Sequence, residues 1–194
     1  RKDSIIKREI FDNEISGNVE YISVETSLSN VYFQRWVSYY QYLLLNKSSI
    51  NKVFITDGTD VQMLNNPFTE METGRLYIGD EAEKTACEWL IKHHPHKLIQ
   101  EFIKQNENKV LLNAVLLGGD VELVMLFINK LLTFYFYTTS DSHFNPALPE
   151  CGVTDLGLFN YIPRTHFTDC LVHCRQVHTV FKSETANNVR WFKH

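Results

Sequence analysis

The feature that most constrains the fold is a short apolar run that ends in two acidic residues. Residues 53–55 read Val-Phe-Ile, and Asp57 and Asp60 follow with Gly-Thr between them. A run of β-branched and aromatic residues of this length predicts a buried strand. Acids at the C-terminal end of a buried strand lie at the edge where open α/β sheets bind ligands. The run therefore predicts an α/β fold with a functional edge beside Asp57.

The two acids predict a site for a divalent cation. Two close carboxylates repel one another, and a shared cation removes that repulsion. Mg²⁺ or Mn²⁺ is commonly held by one or two carboxylates together with phosphate oxygens. Gly58 has no side chain, so a ligand can approach the backbone closely there. The plainer interpretation is a polar turn in which both acids cap the next segment, and for an isolated Asp-x-x-Asp it is the commoner outcome.

Composition fits one globular domain over residues 1–194. Hydrophobic residues make up 44% of the chain and charged residues 22%, which is ordinary for such a domain. The net charge of −4 gives no reason to expect a nucleic-acid partner. No stretch reaches about 18 uninterrupted apolar residues, so no membrane-spanning segment is predicted in this chain. The four cysteines do not form a dense disulfide framework, and the compartment stays open.

Hydrophobic periodicity predicts a strand, a helix and a second strand up to the acidic loop. Residues 19–24 alternate apolar and polar as a strand does. Asn30 is a good cap for a helix over residues 31–45, with Arg35 in its first turns. A strand, helix and strand in succession imply a parallel, right-handed crossover.

The rest of the chain continues to mix strands and helices. Apolar runs and turn residues there predict strands at 75–81, 172–181 and 189–192, helices at 82–92, 95–107, 120–137 and from 154, and a loop at 138–152. Residues 110–119 are an apolar run closed by two glycines.

Several motifs follow one another along the chain. They are the helix carrying Arg35, Thr-Asp-Gly-Thr-Asp at 56–60, Asn-Pro-Phe at 66–68, Leu-Asn-Ala-Val-Leu-Leu-Gly-Gly at 112–119, Thr-Asp-Leu-Gly-Leu-Phe-Asn at 154–160 and Trp-Phe-Lys-His at 191–194. In this order they resemble a glycosyltransferase of the GT-A fold. The resemblance implies a central mixed, mainly parallel sheet flanked by helices. The usual first strand of the family is not evident before residue 19.

The resemblance implies a metal site and a donor site. Asp57, Asp60 and His194 resemble the ligands of a Mn²⁺ or Mg²⁺ ion, and Asp57 also resembles the acid near the donor ribose. The donor is expected to be a nucleoside-diphosphate sugar, most simply a UDP-sugar. Its sugar and phosphate contacts correspond to Arg35, Asn113, Gly118, Gly119 and Asn160.

Asp155 resembles the acid that faces the sugar or the acceptor hydroxyl, and it is the candidate catalytic residue. An inverting enzyme needs a carboxylate that takes the proton of the acceptor. The expected function is transfer of a hexose to a hydroxyl of a glycan, a protein or a small molecule. Departure of the diphosphate builds negative charge, which a bound cation neutralises.

Two alternatives from other classes stay open. Val115 stands where the family has a glycine, which together with the missing first strand fits a non-catalytic GT-A-like binding or scaffold module. A nucleotidyltransferase would want a loop rich in Gly and Lys or Arg near the first strand, and the sequence shows none.

Two further motifs carry less weight. The Asp-Gly-Thr at 57–59 also occurs in haloacid-dehalogenase-type phosphatases, but their nucleophilic Asp is replaced here by Ile55. Cys170 and His173 have a spacing seen at zinc sites, but no second cysteine pair completes the set. The phosphatase interpretation is therefore disfavoured, and ordinary core and surface roles are favoured for Cys170 and His173.

Overall fold

A computed structural model describes residues 22–58, 61–144, 154–173, 175–177 and 190–193. In this part of the chain the α-helices are α1 (Val31–Asn46), α2 (Glu88–His93), α3 (Lys97–Gln105), α4 (Val121–Phe144) and α5 (Leu156–His166). The strands are β1 (Lys52–Thr56), β2 (Gln62–Met63), β3 (Leu76–Lys84), β4 (Val110–Asp120), β5 (Leu171–Val172) and β6 (Phe192–Lys193). The expected α/β class is therefore confirmed.

The main sheet has four described strands in the order β1-β4-β3-β5. Strand β4 is antiparallel to both β1 and β3, whereas β3 and β5 are parallel. The expectation of a mixed sheet is confirmed. The expectation of a mainly parallel sheet is wrong for the described strands, because β4 lies between β1 and β3 and runs the opposite way. Strands β1, β3 and β5 still point in one direction, so their carboxyl ends share one edge.

Helix α1 forms as the sequence predicts and packs against α4. The side chain of Asn30 accepts a hydrogen bond from the backbone of Tyr32 at 3.0 Å and caps the helix. Phe33 stacks on Tyr135 of α4 with ring centroids 3.8 Å apart. Lys47, just after α1, lies 3.7 Å from Glu122 at the start of α4. The two helices therefore run antiparallel.

Strand β4 contains a bulge where it passes β3. Ile78 pairs with Leu117, but the next residue, Gly79, pairs with Asn113. The three residues between them on β4 are unpaired with β3. The Asn113 side chain accepts a hydrogen bond from the backbone N–H of Val115 at 2.9 Å and so supports the bulge.

Buried side chains form a cluster on each face of the sheet. The first cluster includes Trp36, Phe127 and Phe159, contributed by α1, α4 and α5. The second cluster lies on the opposite face and contains Met71, Tyr77, Leu116, Val177, Trp191 and Phe192. The short β2–β6 pair brings Phe192 against β2, and so fixes the C-terminal residues to that face.

Several predicted boundaries differ from the structure. Residues 22–24 are not part of a strand, and residues 19–21 of the same prediction lie outside the described residues. Strand β3 continues to Lys84, which pairs with Val110, so the helix predicted from residue 82 begins only at Glu88. Helix α4 continues to Phe144, into the predicted loop. Of the predicted closing strands only β5 and β6 are described, and residues 178–189 lie outside.

Helix α4 contains a stretch, Val121–Ser140, that is long and apolar enough to cross a membrane, with a mean hydropathy of 1.3. Core helices of globular proteins meet the same criterion. Val124, Phe127, Ile128 and Leu131 of this stretch are fully buried against the sheet and the neighbouring helices. The face of α4 that carries these four residues therefore belongs to the core.

Candidate functional site

Three charged residues that are far apart in the sequence meet at the carboxyl end of β1. Arg35 donates from Nη1 to Oδ1 of Asp57 at 3.1 Å. It also donates from Nε and Nη2 to Oδ2 of Asp155, at 3.1 and 2.7 Å. Nη2 makes a fourth hydrogen bond, to the carbonyl oxygen of Ala114 at 3.3 Å. We call Arg35, Asp57 and Asp155 the charged triad.

Each member of the charged triad lies near the end of a helix or a strand. Arg35 lies in the second turn of α1, close to its capped N-terminus. Asp57 directly follows β1, and Asp155 directly precedes α5. Ala114 belongs to the bulge of β4, which turns its carbonyl towards Arg35. The sheet edge predicted from the sequence is therefore the place where these groups converge.

Trp36 is part of the same arrangement. Its indole Nε1 donates to Oδ2 of Asp155 at 2.5 Å, and the guanidinium of Arg35 lies 5.1 Å from the centre of its ring. Oδ2 of Asp155 thus accepts three hydrogen bonds. Asp155 occupies the capping position of α5 but makes no capping hydrogen bond, since its carboxylate is turned to Arg35 and Trp36.

Burial separates the two carboxylates of the triad. The side chain of Asp155 is 3% exposed, whereas that of Asp57 is 35% exposed. One guanidinium faces two carboxylates, so an ionised triad has one negative charge in excess. That excess lies nearest to solvent at Asp57, where it favours a cation.

The surroundings shift two protonation equilibria. Burial raises the pKa of Asp155, and the charge of Arg35 with the hydrogen bonds from Arg35 and Trp36 opposes that shift. Burial also raises the pKa of Tyr39, one helical turn after Arg35. Arg35 lowers that pKa, whereas the carboxylates of Asp57 and Asp155 raise it further. Tyr39 therefore presents a protonated hydroxyl beside the triad at neutral pH.

The other two predicted metal ligands fall outside the part of the chain that the structure describes. Asp60 and His194 lie outside the described residues. Among the residues the structure does describe, no three His, Cys, Asp or Glu side chains are grouped so that they could hold a metal ion. Asp57 is thus the described part of the predicted metal site.

The two predicted asparagines lie near the triad but serve the backbone of β4. Asn113 is 2% exposed and holds the bulge beside Ala114. Asn160 is fully buried, accepts from the backbone N–H of Leu112 at 2.8 Å and donates to the carbonyl of the same residue at 3.0 Å. Arg164 donates a further hydrogen bond to Asn160 at 2.7 Å. Their predicted contacts with a donor stay predictions.

The structure does not bring Gly118 and Gly119 to the triad. They pair with Phe54 and Val53, three and four residues before Asp57, which is about 10–13 Å along a strand. A Cβ atom on Gly118 would lie 2.3 Å from the ring of Phe54, and one on Gly119 would lie 2.8 Å from the carbonyl oxygen of Arg75. Close packing in the sheet therefore explains both glycines.

A second buried carboxylate, which the sequence did not single out, lies in β3. Asp80 of β3 is fully buried, and its Oδ2 lies 3.1 Å from Nδ1 of His173, just after β5. The sequence shows that β3 runs into acidic residues, but it does not show that Asp80 faces His173. The role of Trp36 was also missed, because an aromatic residue in an apolar helix looks like an ordinary core residue.

The site combines a buried ion pair with a more exposed carboxylate at the ligand-binding edge of a mixed sheet. Fold and site together define the class only as a mixed α/β protein with a four-stranded sheet and flanking helices. No known protein-family model matches the chain, and no curated protein matches it significantly.

Proposed function

We propose that this protein is a metal-dependent glycosyltransferase that moves a hexose from a nucleoside-diphosphate sugar, most simply a UDP-sugar, to an acceptor hydroxyl. The observation that carries the proposal is the charged triad at the carboxyl end of β1. Three residues that the family resemblance singles out independently, Arg35, Asp57 and Asp155, are joined there by hydrogen bonds. The same proposal includes the GT-A fold, which is a more specific arrangement than the mixed α/β class described above.

In this proposal Asp57 supplies a metal ligand. Its Oδ1 accepts from Arg35, whereas its Oδ2 accepts no hydrogen bond from the described residues. With Asp60 and His194 it would hold Mn²⁺ or Mg²⁺, which neutralises charge on the departing diphosphate. The excess negative charge of the triad supports cation binding at this position.

Arg35 is proposed to contact the phosphate or sugar of the donor. A guanidinium has five N–H groups, and four of those of Arg35 donate to Asp57, Asp155 and Ala114. One N–H of Nη1 is left to reach a ligand. A guanidinium fixed in this way loses little conformational entropy when it binds, which favours precise contact.

Asp155 has two proposed roles, and its geometry favours one of them. As a base it would have to reach the acceptor hydroxyl, but its side chain is 3% exposed and one oxygen accepts three hydrogen bonds. These contacts favour a residue that positions Arg35. A proton-accepting role requires that ligand binding uncover the other oxygen.

The test is calorimetry with UDP-sugars and Mn²⁺ on the unaltered chain and on two variants, Asp57→Asn and Asp60→Ala. We expect the unaltered chain to bind donor only when metal is present, and both variants to lose at least about tenfold in affinity because a metal ligand is gone. Glu122→Gln, whose exposed side chain pairs with Lys47 at the surface, is the control and should bind normally. Equal heats for the unaltered chain and both site variants would rule out this metal role.

The second candidate is a binding module without catalysis. The observation that favours it is the ion pair between Arg35 and Asp155, whose charges already neutralise one another without a ligand. The charged triad as a whole also ties α1 to the end of β1 and to the start of α5. Donor hydrolysis or transfer over hours would eliminate this candidate, whereas bound nucleotide without turnover would support it.

A further inference from the structure

Trp36 and Arg35 are neighbours in α1 that donate to the same oxygen atom. Side chains of consecutive helix residues point about 100° apart and do not face one another. Here both reach Oδ2 of Asp155, Trp36 through its indole Nε1 and Arg35 through Nε and Nη2. The shared acceptor brings the guanidinium to 5.1 Å from the centre of the indole ring, so Asp155 couples the two side chains.

The core holds Trp36 in place more firmly than Arg35. Trp36 is 1% exposed, and its ring centroid lies 5.6 Å from that of Phe159, 5.7 Å from that of Tyr39 and 6.4 Å from that of Phe127. The side chain of Arg35 is longer, more flexible and 22% exposed. The packed indole is therefore the fixed member of this hydrogen-bonded group.

The direction of the Asp155 carboxylate depends on these two donors. Although Asp155 precedes α5, its side chain makes no hydrogen bond that caps that helix. Among the described residues, Arg35 and Trp36 supply the side-chain hydrogen bonds that it accepts, all on Oδ2. Since Arg35 is itself the flexible partner, the N–H of Trp36 is what connects the carboxylate to the core.

The guanidinium of Arg35 is planar, so fixing one edge of it fixes the direction of every N–H. Nε and Nη2 face Oδ2 of Asp155, and this edge sets the plane of the group. Nη1 donates one N–H to Oδ1 of Asp57, and its other N–H lies in the same plane beside that carboxylate. The direction of the N–H that reaches a ligand is thus set through Asp155.

We propose that Trp36 is a positioning residue, which acts through Asp155 to direct the second N–H of Arg35 Nη1 towards an anion bound at Asp57. This inference rests on the proposed function, in which the anion is the diphosphate of a metal-bound donor. Without the indole N–H, the carboxylate of Asp155 loses its connection to the core. Arg35 then keeps its contacts but holds them less rigidly.

The first measurement needs no ligand and uses NMR relaxation of the Arg35 Nε–H in the unaltered chain and in Trp36→Phe. Phenylalanine keeps an aromatic ring in the core but has no N–H, and the Arg35→Lys variant assigns the signal. We expect the order parameter of this N–H to fall in Trp36→Phe towards about 0.6, below which a group counts as flexible. An unchanged order parameter would overturn the proposal.

Phe127→Leu separates positioning from core packing. Phe127 is fully buried in the same cluster as Trp36, but it takes no part in the hydrogen bonds of the charged triad. Both variants should lower the urea midpoint, whereas only Trp36→Phe should loosen Arg35. Equal loosening in the two variants would show that Arg35 responds to packing in general, and the positioning role would be wrong. Should Trp36→Phe not fold, benzothienylalanine at position 36, which has the shape of tryptophan with sulfur in place of the N–H, makes the same comparison.

The second measurement is calorimetry with Mn²⁺ alone and with UDP in the presence of Mn²⁺. Trp36→Phe should bind Mn²⁺ as the unaltered chain does, since Asp57 keeps its place. It should bind UDP about three- to tenfold more weakly, the net worth of one hydrogen bond. Equal UDP affinities would overturn the proposal. If the unaltered chain binds no UDP, the proposed function is what fails, and the order parameter of Arg35 still decides the positioning role.

Discussion

At the scale of single residues, Asp155 is the member of the charged triad whose replacement should destabilise the fold most. Its carboxylate is nearly removed from water and is held by Arg35 and Trp36, whereas Asp57 keeps a third of its side chain exposed. A buried ion pair stabilises a fold only while both partners are present, because a partner left alone carries an uncompensated charge. The two carboxylates of the triad should therefore differ sharply in what they contribute to stability.

We predict that Asp155→Ala lowers the free energy of unfolding by about 3 kcal/mol, since Arg35 and Trp36 both lose their acceptor. Asp57→Asn should cost less than about 1 kcal/mol, because its ion pair is partly exposed. Urea denaturation measures both values. Glu72→Gln, which removes an exposed pair with Arg75, is the control and should change little. Similar losses in the free energy of unfolding for Asp155→Ala and Asp57→Asn would contradict the conclusion that the buried contacts of Asp155 stabilise the fold more than the exposed pair of Asp57.

A second residue-scale prediction concerns His166 in the last turn of α5. A helix C-terminus favours a protonated histidine, but burial lowers the pKa of His166 and the charge of Lys130 lowers it further. The folded-state pKa therefore lies below the unfolded-state value. The unfolded chain therefore binds the proton more readily than the folded chain. As the pH falls from the unfolded-state pKa of His166 to its lower folded-state pKa, this group lowers the stability of the fold. Titration of His166 by NMR should show the lowered pKa.

Lys130→Gln tests the electrostatic part of that prediction. Removing the positive charge should move the pKa of His166 upward towards its ordinary value. Lys47→Gln is the control and should leave that pKa unchanged, because Lys47 lies beside Glu122 at the start of α4, whereas His166 lies beside Phe134, about three turns further along. An unaltered pKa in Lys130→Gln would assign the whole shift to burial.

The sequence could single out the triad residues but not their relation to one another. Arg35, Asp57 and Asp155 were each marked by a motif, yet no motif shows that two carboxylates share one guanidinium. Asn160 was marked by the same kind of motif and turns out to bond to the backbone of β4. A short motif records which residue types recur, whereas the direction of each side chain depends on packing between elements that are distant in the chain.

At the scale of elements, β4 sets the geometry of the sheet. It was predicted as an apolar run closed by two glycines, and the run is indeed a strand. Its direction and neighbours could not be predicted, because an apolar run buried on both sides reads the same for parallel and antiparallel pairing. The bulge at residues 114–116 leaves no clear sequence signal either, although Asn113 is a residue that can stabilise one.

The glycine pair in β4 allows a sharp element-scale prediction. The Phe54 ring fills the space beside Gly118 and is itself held by Phe192, with ring centroids 4.5 Å apart. We therefore expect Gly118→Ala to lower the free energy of unfolding by about 1–3 kcal/mol through overpacking. Gly58→Ala is the matched control, since a Cβ atom there meets nothing within 4 Å. Equal midpoints in urea for the two variants would show that the ring moves aside freely.

At the scale of the whole molecule, the sheet is covered on both faces by clusters of different origin. The helices α1, α4 and α5 build one cluster, and segments that include the C-terminal residues build the other. Both clusters include side chains of β3 and β4, so the single domain expected from length and composition predicts that the two faces of the sheet unfold together.

The three tryptophans can test that unity. Trp36 lies in the first cluster and Trp191 in the second, each 1% exposed, while Trp89 is 44% exposed. We predict that Trp89→Phe/Trp191→Phe and Trp89→Phe/Trp36→Phe, each with one buried reporter, show the same fluorescence midpoint as the far-ultraviolet circular dichroism of the same variant. Coincident transitions follow because both clusters share the strands of one sheet, so neither face can lose its packing while the other keeps it. A fluorescence midpoint for Trp191 well below the dichroism midpoint would instead make the second face a separate unit that opens first, and the single-domain prediction would be wrong.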